Sequence, residues 1–281
     1  MPWLSGRERA AEIRAALKTR VATLPVQPTL AVLLVGADPA SELYVSLKQR
    51  AADEVGIRTI IHRAPSCSTE RALEYIETWN ADPSIHGILV QLPLPSSLDT
   101  EAIIQAIDPK KDVDSFHPAN REALLRGEGT IFSPVHLAVL TLLGMSSLEM
   151  NGASILVLAK SPVFRDPLVH LLKKAGAFVA ADDHVPSPVV LSRYTAIVTA
   201  LGQREAFTGH DLADDAVVID ISTNTSPSGK TVGDLPEDTV KPTQSVSPVP
   251  GGVGPLTIAF LLQNTVNAAE QTRSEEHTSE L

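Results

Sequence analysis

Apolar, β-branched runs alternate with amphipathic stretches along the first part of the chain. Three of the runs have the length and composition of buried strands, and the two stretches between them have the apolar spacing of helices. This order of elements predicts a parallel sheet that is covered on both faces. The predicted strands span residues 29–36, 57–63 and 85–93, and the predicted helices span residues 39–55 and 68–80.

The same alternation returns in the second half of the chain. Four apolar runs are separated by a helical stretch and by a shorter one, which is the pattern of a Rossmann-type sheet. The predicted strands span residues 153–159, 177–182, 195–201 and 216–222, and the predicted helices span residues 167–175 and 188–193.

Two further helices indicate how the chain divides. The segment 133–144 predicts a linking helix, with Ser133 as its N-cap and Pro134 at its first position. A chain of 281 residues exceeds the usual size of one domain. We therefore predict an α/β fold of two domains. The first is a three-layer domain of residues 1–132 that the last helix, 254–270, packs against and completes, and the second is a Rossmann-type domain of residues 133–253.

The composition argues against a membrane-spanning, a disulfide-bonded or a nucleic-acid-binding protein. The chain is 43% apolar and 20% charged, and none of its apolar runs approaches the roughly 18 residues that a membrane span needs. Cys67 is the single cysteine, so an intramolecular disulfide is excluded, and we expect a cytosolic protein. A net charge of -10 without clustered Lys and Arg argues against a nucleic-acid partner. A small-molecule ligand is the expected partner.

The segment "RSEEHTSEL", residues 273–281, follows the apolar pattern of the last helix. It resembles the translation of a sequencing-adapter oligonucleotide, so we interpret it as an artefact; a natural polar tail is the alternative. It contributes nothing to the prediction of the fold.

Three residues of the first half are candidates for proton chemistry. Tyr44 and Lys48 lie four residues apart on a predicted helix and therefore share one face. A Lys beside a Tyr hydroxyl in a partly apolar cleft can have its pKa lowered and can transfer a proton. Gln91 ends a predicted strand, where parallel sheets place their ligands. An ordinary amphipathic helix and a solvated strand end are the alternatives.

The segment "KKDVDSFHPAN" holds two carboxylates. Asp112 and Asp114 alternate along an extended segment, so at most one of them faces a given cleft. A carboxylate can accept paired hydrogen bonds from an amino-substituted pyrimidine ring, although turn-forming Asp residues are the alternative. His117 could be a base, but a lone histidine is more often structural.

The stretch "SPVPGGVGPLT", residues 247–257, has the most unusual composition in the chain. Its prolines and glycines fix the backbone directly before a helix N-terminus, which indicates either a ligand-holding loop or a rigid turn between domains. We find no grouping of His, Cys and carboxylates with metal-ligand spacing and no Gly-x-Ser-x-Gly elbow, so we expect neither a metal site nor a serine hydrolase.

Taken in order, "YVSLK", "GILVQLPLP", "KDVDSFHPAN", "AVVIDISTN" and "PVPGGVGPLTIAFLLQNT" closely resemble the bifunctional methylenetetrahydrofolate dehydrogenase/cyclohydrolase family. The resemblance covers residues 4–269. It implies a two-domain homodimer with folate against the first domain and NADP on the second. One reaction passes a hydride from the folate methylene bridge to NADP, and the other hydrolyses the methenyl cation to the formyl form.

The resemblance also implies roles for the candidate residues. Lys48 transfers the proton of the cyclohydrolase step, Tyr44 stacks on the folate, and Gln91 hydrogen-bonds Lys48. Asp114 anchors the pterin ring. The substrate is also held by a loop consisting of Pro250, Gly251, Gly252, Val253, Gly254 and Pro255.

The cofactor half departs from the family pattern. Where the family has G-R-S-x-x-V-G-x-P, this chain has "AKSPVFRDP", so Ala159 and Arg165 replace the glycines and Lys160 replaces the Arg, while Ser161 is kept. Ser222 replaces a Gly, and His184 stands where a Ser is usual. The implied cofactor-binding residues are Ala159, Lys160, Ser161, Arg165 and Thr223.

These departures leave three functions open. An Arg side chain at position 165 can block the close approach of a phosphate, whereas Lys160 and Arg165 can bind a phosphate through their charges. Asp166, Asp182 and Asp183 favour NAD over NADP. We expect a bifunctional enzyme that uses NADP or NAD. A cyclohydrolase without hydride transfer and a non-catalytic folate-binding paralogue are the alternatives.

Overall fold

A computed structural model describes the backbone of residues 3–129 and 131–279, and the side chains as far as Gln271. The chain forms two compact units. The first unit consists of residues 11–134 together with residues from Ile258 onward, and the second unit consists of residues 135–257 together with the N-terminal residues through Ala10.

The first unit is a small parallel sheet between helices. Its three strands pair in the order β2-β1-β3 and all run parallel, as the strand-helix alternation predicts. The elements are α1 (Arg7–Thr23), β1 (Thr29–Val35), α2 (Pro39–Val55), β2 (Arg58–Ala64), α3 (Thr69–Ala81), β3 (Gly87–Val90), α4 (Thr100–Gln105) and α5 (Pro118–Arg126).

The central strand of this unit, β1, is buried along its whole length because helices cover both faces of the sheet. Alternate residues of β1 therefore enter two separate cores. One core holds Leu30, Val32 and Leu34, and residues 258–266 of the last helix pack into it. The last helix thus completes the first unit, as the sequence predicts.

The second unit contains a five-stranded parallel sheet in the order β10-β7-β6-β4-β5. The chain moves from β4 to β5 on one side and then crosses back to β6 on the other, so its topological switch point lies between β4 and β6. The elements are α6 (Pro134–Met145), β4 (Ser154–Ala159), α7 (Pro162–Lys174), β5 (Phe178–Asp182), α8 (Pro188–Leu191), β6 (Ala196–Ala200), β7 (Val217–Asp220), β8 (Asn224–Thr225), β9 (Thr231–Val232) and β10 (Ser245–Val246).

Two predictions about the starts of helices are wrong. Helix α7 begins at Pro162, not at Pro167, because Pro162 occupies the first helical position and Pro167 is accommodated inside the helix. Ser133 precedes α6, but its buried Oγ has no hydrogen-bond partner, so its side chain does not cap the helix.

The ends of the chain also differ from the simple division by sequence. The residues before Ala10 join the second unit, where the Leu4 N–H donates to the Val246 carbonyl at 2.9 Å. The last helix, α9, spans Val253–Ser279. The segment interpreted as an artefact, 273–281, lies outside the residues whose side chains are described. No helix within the described part of the chain is both long and apolar enough to cross a membrane.

Asn264 gives a test of how α9 holds the first unit. Its buried amide donates to the carbonyls of Val113 and Phe132, at 2.9 and 2.8 Å. We expect Asn264→Ala to reduce the free energy of unfolding of this unit by about 2–3 kcal/mol, because two carbonyls lose their donor. Urea denaturation followed by Trp79 fluorescence, in a Trp3→Phe background, measures the first unit alone.

The half-exposed neighbour Gln263, changed to Ala, is the control and should cost less than about 0.5 kcal/mol. An equal effect of the two substitutions would show that Asn264 contributes only helix propensity.

Candidate active site

The first group of candidate residues lies on α2, whose ends are fixed by local signals. Asp38 is the N-cap and accepts a hydrogen bond from the Ser41 N–H at 2.8 Å, and Gly56 ends the helix in the left-handed conformation, with φ of 92°. Within this helix Tyr44 and Lys48 lie one turn apart, and both are half-buried. The helix therefore presents the phenol and the ammonium group along one side.

Gln91 meets Lys48 from the neighbouring strand. It follows β3, and its N–H donates to the Leu33 carbonyl at 2.9 Å. Its Nε2 donates to the Leu92 carbonyl at 2.8 Å, so its Oε1 is left to accept from Lys48 Nζ at 2.9 Å. The structure thus brings Lys48 and Gln91 into direct contact.

The electrostatic surroundings of Lys48 favour the neutral amine. The residue keeps part of its surface exposed, but its ammonium nitrogen is desolvated, and this desolvation lowers the pKa of Lys48 below its ordinary value. The negative charge of Asp114 acts in the opposite direction. The lowered pKa makes it easier for this amine to give up and regain a proton, as a general acid or base requires.

The two carboxylates of "KDVD" have different environments. Asp112 is 1% exposed and accepts hydrogen bonds from the His117 N–H at 2.8 Å and from Asn120 Nδ2 at 3.1 Å, so it fixes the following turn. Asp114 is half-buried and interacts with the charge of Lys48. Desolvation raises the pKa of Asp114 to about 6, against the attraction of Lys48. Of the two, Asp114 is the carboxylate that remains for a ligand.

The segment that carries Asp114 is held on one side by Lys111 and on the other by Ser115, whose Oγ donates to the Ile131 carbonyl at 3.2 Å. Lys111 Nζ donates to three carbonyls at the end of α3, those of Trp79, Asn80 and Asp82, at 3.0, 2.8 and 2.8 Å. Ser115 adopts a left-handed backbone with φ of 59°, which is uncommon outside glycine and indicates local strain. Lys111 and Ser115 both belong to the motif "KDVDSFHPAN", but no local pattern in the sequence marks either of them as a residue of the site.

His117 has a structural role. Its Nδ1 accepts from the Ala119 N–H at 3.0 Å and caps α5, and its Nε2 lies 3.1 Å from the Gln105 carbonyl. Both ring nitrogens are therefore engaged within the protein.

The loop of residues 250–255 belongs to the second unit. It contains a cis Val249–Pro250 peptide bond and a left-handed Gly251 with φ of 123°. A side chain at Gly252 would lie 2.7 Å from Ser247 Cβ, so the close packing of the loop requires glycine there. Helix α9 then begins at Val253. The backbone path of the loop thus depends on glycine at positions 251 and 252.

The turn after β4 has an ordinary backbone. Among the described residues, positive φ outside glycine occurs only at Ser115 and Glu205, so neither Ala159 nor Arg165 is in the left-handed region. Ala159 ends β4, and Arg165 lies in the first turns of α7. The turn is thus rebuilt without the need for glycine and is not a strained copy of a glycine turn.

The side chains of this turn fit a phosphate. Lys160 and Ser161 are exposed, and the Ser161 hydroxyl forms no cap with the helix. Arg165 Nε is paired with Asp166 Oδ1 at 2.9 Å, so its charge is partly compensated. We therefore regard Lys160 and Ser161, at the N-terminus of α7, as the better candidates to hold a dinucleotide phosphate.

Acidic residues lie at the end of the adjacent strand β5. Asp182, Asp183 and His184 are exposed, and their potential ligand atoms lie within 4.8 Å of one another. The expectation that no grouping has metal-ligand spacing is therefore wrong for this triplet, although exposed acidic clusters are common without a metal. Thr223, the last predicted cofactor contact, is exposed after β7.

A buried histidine beside this turn was missed by the sequence analysis. His136, 3% exposed on α6, lies 2.8 Å through its Nε2 from the Phe164 carbonyl. Because a carbonyl only accepts, Nε2 carries the proton. Burial lowers the pKa of His136 to about 4, so the ring is neutral at physiological pH. It ties the first turn of α7 to α6.

Comparison with known proteins identifies the family to which the chain is similar. Residues 4–114 match the model of the tetrahydrofolate dehydrogenase/cyclohydrolase catalytic domain, and residues 134–273 match the model of the NAD(P)-binding domain of the same family. The bifunctional protein FolD of Geobacillus thermodenitrificans is 40% identical over 95% of this chain and 97% of its own length. The bifunctional protein FolD 2 of Rhizorhabdus wittichii is 44% identical over 91% of this chain and 89% of its own length.

Solved structures agree with this assignment. The bifunctional FolD enzyme of Campylobacter jejuni superposes with a TM-score of 0.90 at 33% identity, covering 96% of this chain and 99% of its own. The FolD enzyme of Trypanosoma brucei, solved in complex with NADP and an inhibitor, has a TM-score of 0.89 at 30% identity, with 96% and 99% covered. The chain therefore belongs to the tetrahydrofolate dehydrogenase/cyclohydrolase family.

Proposed function

We propose that the chain is a bifunctional enzyme of one-carbon metabolism. It oxidises 5,10-methylenetetrahydrofolate to the methenyl cation with NADP and hydrolyses this cation to 10-formyltetrahydrofolate. The observation that carries the proposal is the hydrogen bond from Lys48 to Gln91, because it holds a desolvated amine that also interacts with the charge of Asp114, all within the residues that match the catalytic-domain model of this family.

The hydrolytic step needs a residue that moves a proton. Water adds to the methenyl carbon, one carbon–nitrogen bond breaks, and the released ring nitrogen ends neutral while one proton leaves. Lys48 can carry that proton because its pKa is lowered, and Gln91 Oε1 holds its ammonium form at 2.9 Å. We assign to Asp114 the anchoring of the pterin ring and to Tyr44 stacking on the folate. The folate contacts at Pro250–Pro255 stay a prediction.

The oxidation step needs a bound dinucleotide, which accepts a hydride from the folate methylene carbon. The chain's own contribution is to hold its phosphates, for which Lys160 and Ser161 supply a charge and a hydroxyl at the start of α7. Ala159, Arg165 and Thr223 remain predicted contacts. NAD is the alternative cofactor, because Asp182 and Asp183 lie at the strand end that meets the adenosine ribose in such sheets.

A parallel assay tests the proposed function. Purified protein is given methylenetetrahydrofolate with NADP or NAD, and cofactor reduction and methenyl loss are recorded separately. We expect both signals. Methenyl hydrolysis without reduction of either dinucleotide would identify a cyclohydrolase only, and the absence of both would identify a non-catalytic paralogue.

Lys48 gives the first prediction for activity. Lys48→Met should lower the rate of methenyltetrahydrofolate hydrolysis by about 100- to 10,000-fold, because the proton-transferring group is lost. The dissociation constant of NADP, measured by calorimetry, should stay unchanged. Lys18→Met, on the exposed side of α1, is the control. Hydrolysis at more than about a tenth of the normal rate in Lys48→Met would exclude proton transfer by this lysine.

The raised pKa of Asp114 predicts that KM for the folate depends on pH. The pKa of its carboxyl is raised to about 6, so the group is ionised above that pH and protonated below it. Only the ionised form accepts two hydrogen bonds from an amino-pyrimidine ring, so KM for the folate should rise about tenfold per pH unit below pH 6.

The variant Asp114→Asn should have a high KM that does not change with pH across this range. A KM profile that is the same in the variant and in the unmodified protein would assign the titration to another group.

The proposed role of Lys160 in holding a phosphate predicts how its removal changes the affinity for NADP. Lys160→Ala should raise the dissociation constant of NADP about tenfold, since a charged hydrogen bond to phosphate is lost. Lys174→Ala, at the other end of α7, is the matched control and should have no effect. An unchanged NADP affinity in Lys160→Ala would mean that the phosphates are held elsewhere.

The cytosolic location and the homodimer also stay predictions. Light scattering on the purified protein measures its oligomeric state directly. A monomer at micromolar concentration would contradict the predicted homodimer.

A further inference from the structure

Two buried carboxylates lie at the carboxyl ends of β6 and β7 in the second unit. Asp220 ends β7 and is 2% exposed, and Asp234 follows β9 and is fully buried. Asp220 Oδ2 accepts from the N–H groups of Asp234 and Leu235, at 2.7 and 3.0 Å, so the first carboxylate fixes the backbone that carries the second.

Asp234 accepts from two hydroxyl groups. Its Oδ2 accepts hydrogen bonds from Thr199 Oγ1 at 2.6 Å and from Ser222 Oγ at 2.7 Å. These residues belong to β6 and to the loop after β7, so one carboxylate oxygen joins two neighbouring strands. Asn224 Nδ2 adds a contact to Oδ1 at 3.1 Å.

The same group of residues holds the loop after β6. Leu201 and Gln203 donate their N–H groups to Asp234, at 3.0 and 2.8 Å, and the Gly202 N–H donates to Ser222 Oγ at 3.1 Å. Three successive amides are thus fixed from one side. Gly202 is left-handed, with φ of 62°, and a side chain built there would meet nothing within 4 Å. The loop therefore presents Gly202 to open space.

The position of this loop connects it with the dinucleotide. Open α/β sheets bind their ligands beyond the carboxyl ends of the strands at the topological switch point, which here lies between β4 and β6. The turn after β4 forms one side of that crevice, and the loop 201–203 forms the other. The β4 side lacks the usual glycines, so the geometry of the β6 side carries more of the binding.

Stability alone does not explain the arrangement. Burying a carboxylate costs several kcal/mol before its hydrogen bonds compensate, and apolar residues often stabilise a core equally well. Desolvation raises the pKa of Asp220 to about 7 although several backbone N–H groups oppose this change. Such costly polar networks are characteristic of places where function fixes a geometry.

We propose that Asp234 and Ser222 are positioning residues of the dehydrogenase reaction, which hold the loop 201–203 in the conformation that binds the dinucleotide. The inference rests on the proposed function. Ser222 stands where the family pattern has Gly, and its hydroxyl, bonded to both Asp234 and the Gly202 N–H, gives this chain an anchor that a glycine cannot supply.

The test compares variants that remove one hydroxyl each. Ser222→Ala should raise the calorimetric dissociation constant of NADP and lower dehydrogenase kcat, each by about 10- to 100-fold, because small displacements of binding groups have effects of this size. KM for the folate and the cyclohydrolase rate measured without dinucleotide should stay within twofold. Amide exchange at Leu201, Gly202 and Gln203, measured without any cofactor, should accelerate.

Thr199 provides a matched pair. Thr199→Ser keeps the hydroxyl on Asp234 and should behave like the unmodified protein, whereas the isosteric Thr199→Val should weaken NADP binding. Ser228→Ala, in the exposed β8–β9 hairpin, is the control without effect.

The proposal and the function on which it rests can fail separately. If the unmodified protein reduces neither NADP nor NAD and binds neither, the dehydrogenase function and this inference both fall. If it binds and reduces a dinucleotide, but Ser222→Ala changes the affinity and kcat less than twofold, only the inference is overturned. An equal loss of dehydrogenase and cyclohydrolase rates in Ser222→Ala would also overturn it, since a general loss of structure explains that result.

Discussion

The desolvation of a single ammonium group is the constraint on which the first unit depends. Removing Lys48 from water lowers its pKa, and the unit supplies Gln91 as an acceptor and Asp114 as a counter-charge so that the group is not left unpaired. Much of the surrounding structure follows from this requirement. The caps of α2 fix the helix that carries Lys48, and the end of β3 orients the amide of Gln91. Lys111 and Asn264 hold the segment that leads to Asp114, Asn264 by donating to the Val113 carbonyl.

The second unit meets a different requirement, the binding of an anionic dinucleotide without the glycines that usually line the first turn. Two parts of the unit meet this requirement. Side chains at the start of α7 provide positive charge, and the buried hydrogen-bond network around Asp234, at the ends of β6 and β7, fixes the loop after β6. His136 contributes from the other direction by fixing the first turn of α7 through the Phe164 carbonyl. Two of the departures from the family motif, Arg165 and Ser222, are accompanied by contacts of their own, to Asp166 and to Asp234.

The sequence predicted the periodic features well and the long-range polar contacts poorly. The main strands and the parallel arrangement of the two sheets followed from alternating apolar runs, since burial on both faces imposes such runs locally. The start of α7 was misplaced because two prolines offered the same signal and only tertiary packing decides between them. The separate roles of Asp112 and Asp114 depend on which partners each meets, and the network of Thr199, Ser222 and Asp234 joins residues up to 35 positions apart. Neither arrangement leaves a local pattern to recognise.

The ordinary backbone of the turn after β4 has an evolutionary consequence. Because Ala159 ends a regular strand and Arg165 lies within a regular helix, no residue of this turn is restricted to glycine by its conformation. The backbone of this turn therefore accepts residues other than glycine, although the full burial of Ala159 still limits that position to a small side chain. A search for dinucleotide sites that relies on glycine spacing would pass over this chain, although its sheet topology and its switch point are intact.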